Sequence, residues 1–197
     1  MSGSESATPS KPTGRSEVRR AVLDAARALF AEKGISVPIR EIAAKAGVNH
    51  GLIHHYLGNK EQVLREVMSR DVWHSALAVE GSKTVREAVR KMFTSGIGDR
   101  EYIRTTAWLK LDGRTDLLPR GERSSMAEIR NIDPDRPVDD VRLLAALAAT
   151  YGWSLFGAEI LATAGVPEES RADVEERLAR LLGRVAELPD EGCGDEE

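Results

Sequence analysis

Between residues 16 and 60, apolar positions recur at the three- and four-residue intervals of amphipathic helices, in three successive runs. Val18, Val22, Ala26, Leu29 and Phe30 share one face of a helix expected over residues 16 to 33, and Gly34 stops it. Ile39, Ile42, Ala43 and Ala46 share a face of a second, shorter helix. Gly47 then supplies the conformational freedom of a tight turn, and Val48 can plug the corner from inside. Asn49 is a good N-cap for a third helix, whose inward stripe is Leu52, Ile53 and Tyr56 and whose outward positions include His50, Gly51, His54 and His55. Two short helices hinged at a glycine, backed by a longer one, have the layout of a helix-turn-helix. Small hydrogen-bonding side chains on the outer face of the last helix suit a major groove.

Beyond this segment the pattern stays helical. Asn59 followed by Gln62 reads as a capping box that starts a long helix running to about 78, with Lys60 at its N-terminus. A break near Gly81 precedes helices expected at 84 to 96, 99 to 112 and 116 to 130. Both prolines of Asp133-Pro-Asp-Arg-Pro137 disfavour helix in the residues before them, so this segment is a loop. Helices over 139 to 164 and 168 to 187 follow, parted by Gly165-Val-Pro167. The expected fold class is all-α. A polar tail (1–15) leads into a three-helix helix-turn-helix domain (16–62), a larger helical domain (63–187) and an acidic tail (188–197).

The last two helices carry apolar stripes suited to self-association. Leu144, Ala148, Gly152 and Phe156 mark the first, with Val141, Ala145 and Ala149 beside them, and its small side chains permit close helix approach. Leu178, Leu181 and Val185 mark the second, with Val174 and Leu182. A second reading, in which both stripes face the core of their own subunit, stays open at this point. The dimer reading gains from the short third helix, because one such helix spans few base pairs and two symmetric copies read a palindrome.

Charge sharpens this picture once the chain is divided. The whole chain is acidic, with 28 Lys plus Arg against 32 Asp plus Glu, which argues against a general nucleic-acid coating protein. Residues 1 to 60 hold 9 basic and 5 acidic side chains (+4), leaving 19 and 27 (−8) for the remainder. The basic footprint therefore sits on the expected reading head, and an acidic body repels DNA elsewhere. The 197 residues suffice for one small and one ordinary helical domain. No apolar run reaches the roughly 18 to 20 residues needed to span a bilayer, and residues 1 to 15 lack a signal-peptide apolar centre, so a cytoplasmic protein with no membrane partner is expected. Cys193 stands alone in the acidic tail, in keeping with a reducing compartment.

Several motifs together carry a family resemblance. Arg20-Ala-Val-Leu-Asp-Ala-Ala-Arg-Ala-Leu-Phe, Glu32-Lys-Gly34, Arg40-Glu-Ile-Ala-Ala-Lys-Ala-Gly-Val48 and Gly58-Asn-Lys-Glu61 resemble, in order and spacing, the N-terminal domain of TetR-type transcriptional regulators. The resemblance covers about residues 16 to 65. It implies an all-helical homodimer whose head binds a double-stranded palindromic operator and whose larger domain binds a small effector that lowers DNA affinity. It places Arg40 where family members contact a base or phosphate, opens the recognition helix with Asn49, His50 and Gly51, and matches Lys60 to the family's helix-four lysine. His54 stands where a phosphate-contacting tyrosine is usual and Tyr56 where a histidine or tyrosine is usual; His55 completes the DNA-facing set. Leu57 replaces a commoner phenylalanine, and Pro38-Ile39 replaces the threonines that normally cap helix two.

In the family the middle of the chain encloses the effector, and Met92, Phe93, Thr105, Trp108, Met126 and Trp153 are candidates for an apolar pocket with few polar anchors. Aromatic and methionine side chains at helical spacing equally serve as plain core. His50 and His54 are four apart, a spacing that can hold a metal, but no third ligand accompanies them and no metal or other cofactor is expected. Enzyme chemistry is not expected either. Gly81-Ser-Lys-Thr84 lacks the order of a phosphate loop, and Gly152-Trp-Ser-Leu-Phe-Gly157 misses the nucleophile elbow by one residue. The alternative to a ligand-released repressor is a helical dimeric scaffold with a vestigial helix-turn-helix.

Overall fold

A computed structural model describes residue 12, residues 14–119 and residues 124–188. Among these, nine α-helices and two single 3-10 turns follow one another with no strand. The helices are α1 (Arg15–Lys33), α2 (Ile39–Ala46), α3 (His50–Tyr56), α4 (Lys60–Val79), α5 (Val85–Gly98), α6 (Arg100–Leu111), α7 (Ser125–Arg130), α8 (Asp140–Thr163) and α9 (Arg171–Ala186).

Packing follows the apolar stripes. A first cluster gathers Val18, Val22, Leu29 and Phe30 of α1, Ile42 of α2 and Ile53 of α3 over Val63, Leu64, Val67 and Met68 of α4. Leu109 of α6 and Leu117 close it from the other side. The expected domain division at residue 62 thus falls in the first turn of α4, a helix whose opposite end delivers Val79 to a second cluster with α5, α7 and α8. A third cluster joins Phe93 of α5, Trp153 and Leu161 of α8, and Ala179 of α9. One helix, α4, is therefore shared by two cores.

A polar tie reinforces that connection. The Arg27 side chain on α1 bonds Asp71 Oδ1 of α4 through Nε at 2.9 Å, and also pairs with Asp99 and with Glu101 of α6. Its own desolvation pulls the guanidinium pKa down, but the three carboxylates outweigh this and hold it above its ordinary value.

Three expectations need correction. Residues 116 to 130 are not one helix: a 3-10 turn over Thr115–Leu117 gives way at Leu118 to extended backbone (ψ 135°), and α7 spans only Ser125–Arg130. Pro119 explains the break, because its ring crowds a helical Leu118. The last helix starts at Arg171, after a 3-10 turn over Glu168–Ser170. Finally, α8 is long and apolar enough to cross a membrane by length and composition alone, with mean hydropathy 1.3 in its richest 18-residue window. Leucines, with alanines between them, supply that hydropathy, and Leu143, Ala146, Trp153 and Leu161 bury one face against α5, α7 and α9. Cys193, the acidic tail past residue 188 and most of the N-terminal tail lie outside the described residues.

Candidate nucleic-acid interface and ligand cavity

Most of the head's candidate residues are exposed, and local capping explains why. Pro38 is the N-cap of α2 and offers no side-chain acceptor, so its carbonyl oxygen alone takes the N–H groups of Glu41 (3.0 Å) and Ile42 (3.4 Å). Arg40 follows in the first turn, exposed and with no ion-pair partner among the described residues. Gly47 ends α2 in the left-handed region (φ 68°), and the Val48 N–H returns to the Ala43 carbonyl at 3.0 Å. Val48 packs against the first cluster from this corner.

Asn49 then caps α3, its Oδ1 accepting the Gly51 N–H at 2.9 Å. This commits its carbonyl oxygen to the helix and leaves its amide N–H groups as donors. His50, Gly51, His54 and His55 are exposed, with the His50 and His54 rings edge to face at 6.4 Å. Tyr56 differs: it is half-buried on the first cluster, with the Arg15 guanidinium 6.0 Å from its ring centre and His55 against its edge at 4.7 Å. Lys60 opens α4 beside a complete capping box, in which Asn59 Oδ1 accepts the Gln62 N–H at 2.9 Å and Gln62 Oε1 accepts the Asn59 N–H at 2.8 Å. Gly58 permits this closure, because its φ is 85° and a Cβ there would lie 1.7 Å from Gln62 Oε1. The head thus holds a capped helix N-terminus with a cation and, on α3, exposed hydrogen-bonding side chains, groups of the kind that hold phosphates and touch base edges. Among the described residues, no group of three or more His, Cys, Asp or Glu side chains converges as a metal site would require.

Farther from the head, a cavity of about 170 Å³ lies between α4, α5, α6, α7 and α8. Met92, Ile103, Met126 and Leu147 form most of its apolar wall, and its polar members include Asp71, His74, Asp99, Tyr102, Thr150 and Tyr151. Only two of the six sequence candidates, Met92 and Met126, line this space. Phe93 is fully buried in the third cluster, and Trp153 belongs there too, its Nε1–H donating to Glu175 at 2.9 Å. Trp108 packs over Gly34 in the first cluster, and Thr105 donates its hydroxyl proton to the Glu101 carbonyl at 2.8 Å. Phe93 and Trp153 thus serve the third cluster, Trp108 the first, and Thr105 its own helix.

Among the cavity members not expected from the sequence, Asp71 stands out. It falls on the inward stripe of α4 after Leu64, Val67 and Met68, and a carboxylate on an apolar stripe was the available signal. It is only 3% exposed, and burial pushes its carboxyl up to about 6 despite the Arg27 cation. Among the described residues its Oδ2 has no hydrogen-bond partner. The Tyr102 and Tyr151 phenols interact with each other, and burial raises both above the usual tyrosine range.

The candidate self-association face is divided between the two helices. On α8, Val141, Leu144, Phe156 and Ile160 are 71%, 53%, 58% and 46% exposed, with Ala148 exposed and Gly152 half-buried among them. Among the described residues nothing covers the large side chains of that stripe. On α9, Leu181 is exposed and Val185 half-buried, whereas Val174, Leu178 and Leu182 pack against the third cluster of their own chain. An open groove of about 740 Å³ between α5 and α9 is rimmed by arginines, among them Arg86 and Arg90, paired with Glu187 and Glu176.

Comparison with known proteins bears on this arrangement. Residues 22–67 match the model of the bacterial regulatory proteins, tetR family. The chain is 34% identical over 186 residues to the HTH-type transcriptional repressor Rv3405c of Mycobacterium tuberculosis, covering 87% of this chain and 92% of that protein. Among solved structures, a putative transcriptional regulator from a Rhodococcus species superposes with a TM-score of 0.55 at 22% identity, over 88% of this chain and 97% of that one. The TetR family transcriptional regulator PfmR from Thermus thermophilus gives 0.56 at 18% identity, over 84% and 94% of the two chains.

Proposed function

The chain belongs to the TetR family and is a DNA-binding transcriptional regulator, and from that premise we propose that it is a homodimer that occupies a palindromic operator in the cytoplasm until a small ligand releases it. Arg40 and the segment from Asn49 to His54 choose bases, with the Asn49 amide and the His50 and His54 rings as donors or acceptors in the major groove. Lys60, the N-terminus of α4, His54 and Tyr56 hold the backbone, with His55 beside them. The observation that carries this reading is the shared exposure of Arg40, His50, Gly51 and His54 beside the capped end of α4.

Dimerisation runs through the α8 stripe of Leu144, Ala148, Gly152 and Phe156, joined by Leu181 and Val185 of α9, with Leu178 beneath them. The ligand enters the cavity bounded by Met92 and Met126 and acts by favouring a shape with different head spacing, since only differential affinity for two shapes can move the equilibrium. Selection from a randomised duplex pool tests the regulator: enrichment of an inverted repeat supports it, and failure to enrich any palindrome would favour a helical scaffold instead.

A further inference from the structure

We infer that the effector is a small protonated amine whose N–H groups meet Asp71, and that it acts by weakening the tie between Asp71 and Arg27. This rests on the reading of the cavity as the effector site.

The argument starts from the two oxygens of one carboxylate. Asp71 Oδ1 takes the Arg27 Nε–H from α1 at 2.9 Å, while Oδ2 is buried and unpartnered, and Asp71 lines the cavity. A buried acceptor without a donor is costly, and a carboxylate more so than a neutral group. The charge around it is also uneven. Arg27 is a single cation shared among Asp71, Asp99 and Glu101, and both Asp71 and Asp99 border the cavity. His74, also on the cavity lining, is exposed and acts on Asp71 through its charge without bonding Oδ2, so against two bordering carboxylates the site still offers Oδ2 no N–H donor, and one ammonium group supplies that donor and further positive charge. An anion is repelled, a neutral molecule leaves the charge imbalance, and a quaternary ammonium brings no N–H.

Size and wall chemistry narrow the ligand further. At about 170 Å³ the cavity is close to one that holds a benzene-sized guest, so the apolar part is a single ring or a short branched chain. Met92, Ile103, Met126 and Leu147 suit that part.

The same carboxylate connects the cavity to the head. A second cation on Asp71 competes with Arg27 for its charge and repels the guanidinium, so the tie holding α1 to α4 and α6 loosens as the ligand binds. Arg27 is thus a positioning residue, touching the ligand's partner rather than the ligand.

Benzylamine, benzyl alcohol and benzoate share a ring and nearly a size, and differ in charge. Titration calorimetry on the full chain without DNA should show benzylamine binding at least about tenfold more tightly than benzyl alcohol, as expected of a charge-assisted bond, and benzoate not binding. Asp71→Asn should erase the preference for the amine. Equal affinity for amine and alcohol, or no benzylamine binding at millimolar concentration, overturns the inference, and neither result depends on the operator. Benzylamine should also weaken binding to the selected duplex in the wild type, whereas Arg27→Gln should still bind it without that response. An unchanged response in Arg27→Gln would overturn the part assigned to this tie.

Discussion

Replacing Asp71 by Asn should change how stability depends on pH, and the size of the effect follows from its burial. The ordinary carboxyl value is 3.8 and the folded value is about 6, so the folded chain holds this proton more tightly than the unfolded one. Stability from the group is therefore fully present below about 3.8 and is lost as pH rises through about 6. Across that whole range the ionised form costs about 3 kcal/mol, taking 1.36 kcal/mol per pH unit. Between pH 8 and pH 5 linkage gives about 1.4 kcal/mol. Urea unfolding followed by circular dichroism, at matched protein concentration, should show the wild type gaining about that much on Asp71→Asn as pH falls from 8 to 5. Asn keeps an oxygen for Arg27 and does not ionise, so the variant should also be the more stable protein at pH 8. A difference that is flat with pH, or that favours the wild type as pH rises, would refute the claim that Asp71 is an under-neutralised buried charge.

Other perturbations address the head and the dimer. Lys60→Ala should weaken binding to every duplex and make the dependence of log affinity on log salt shallower by about one, measured by fluorescence anisotropy from 50 to 200 mM salt. Arg40→Ala should relax base choice in a repeated duplex selection, with a loss at one position of about 1 to 3 kcal/mol if its fork pairs with a guanine edge. Leu144→Glu combined with Phe156→Glu places two charges on the exposed α8 stripe and should yield monomers by light scattering at micromolar concentration, without loss of helical signal.

Local signals made the head legible. Gly47, Asn49 and the Asn59/Gln62 pair act within a few residues of themselves, so turn, cap and capping box were readable from the chain alone and are all formed. The middle was harder because its side-chain directions depend on which helices become neighbours. Phe93, Trp108 and Trp153 looked like pocket residues, yet each fills a contact between distant helices. Asp71 went unremarked, although an acid on an apolar stripe is readable as an anomaly. The α9 stripe shows the same limit, since Leu178 and Leu182 turn to their own subunit while Leu181 stays outside.

Hydroxyl-radical footprinting on the selected duplex, with stoichiometry measured in the same buffer, tests most directly whether a symmetric dimer reads DNA through α3. Two chains should bind per duplex and protect two patches on one side of the helix, with centres about one helical turn apart or slightly more. A single protected patch, or one chain per duplex, would contradict the account.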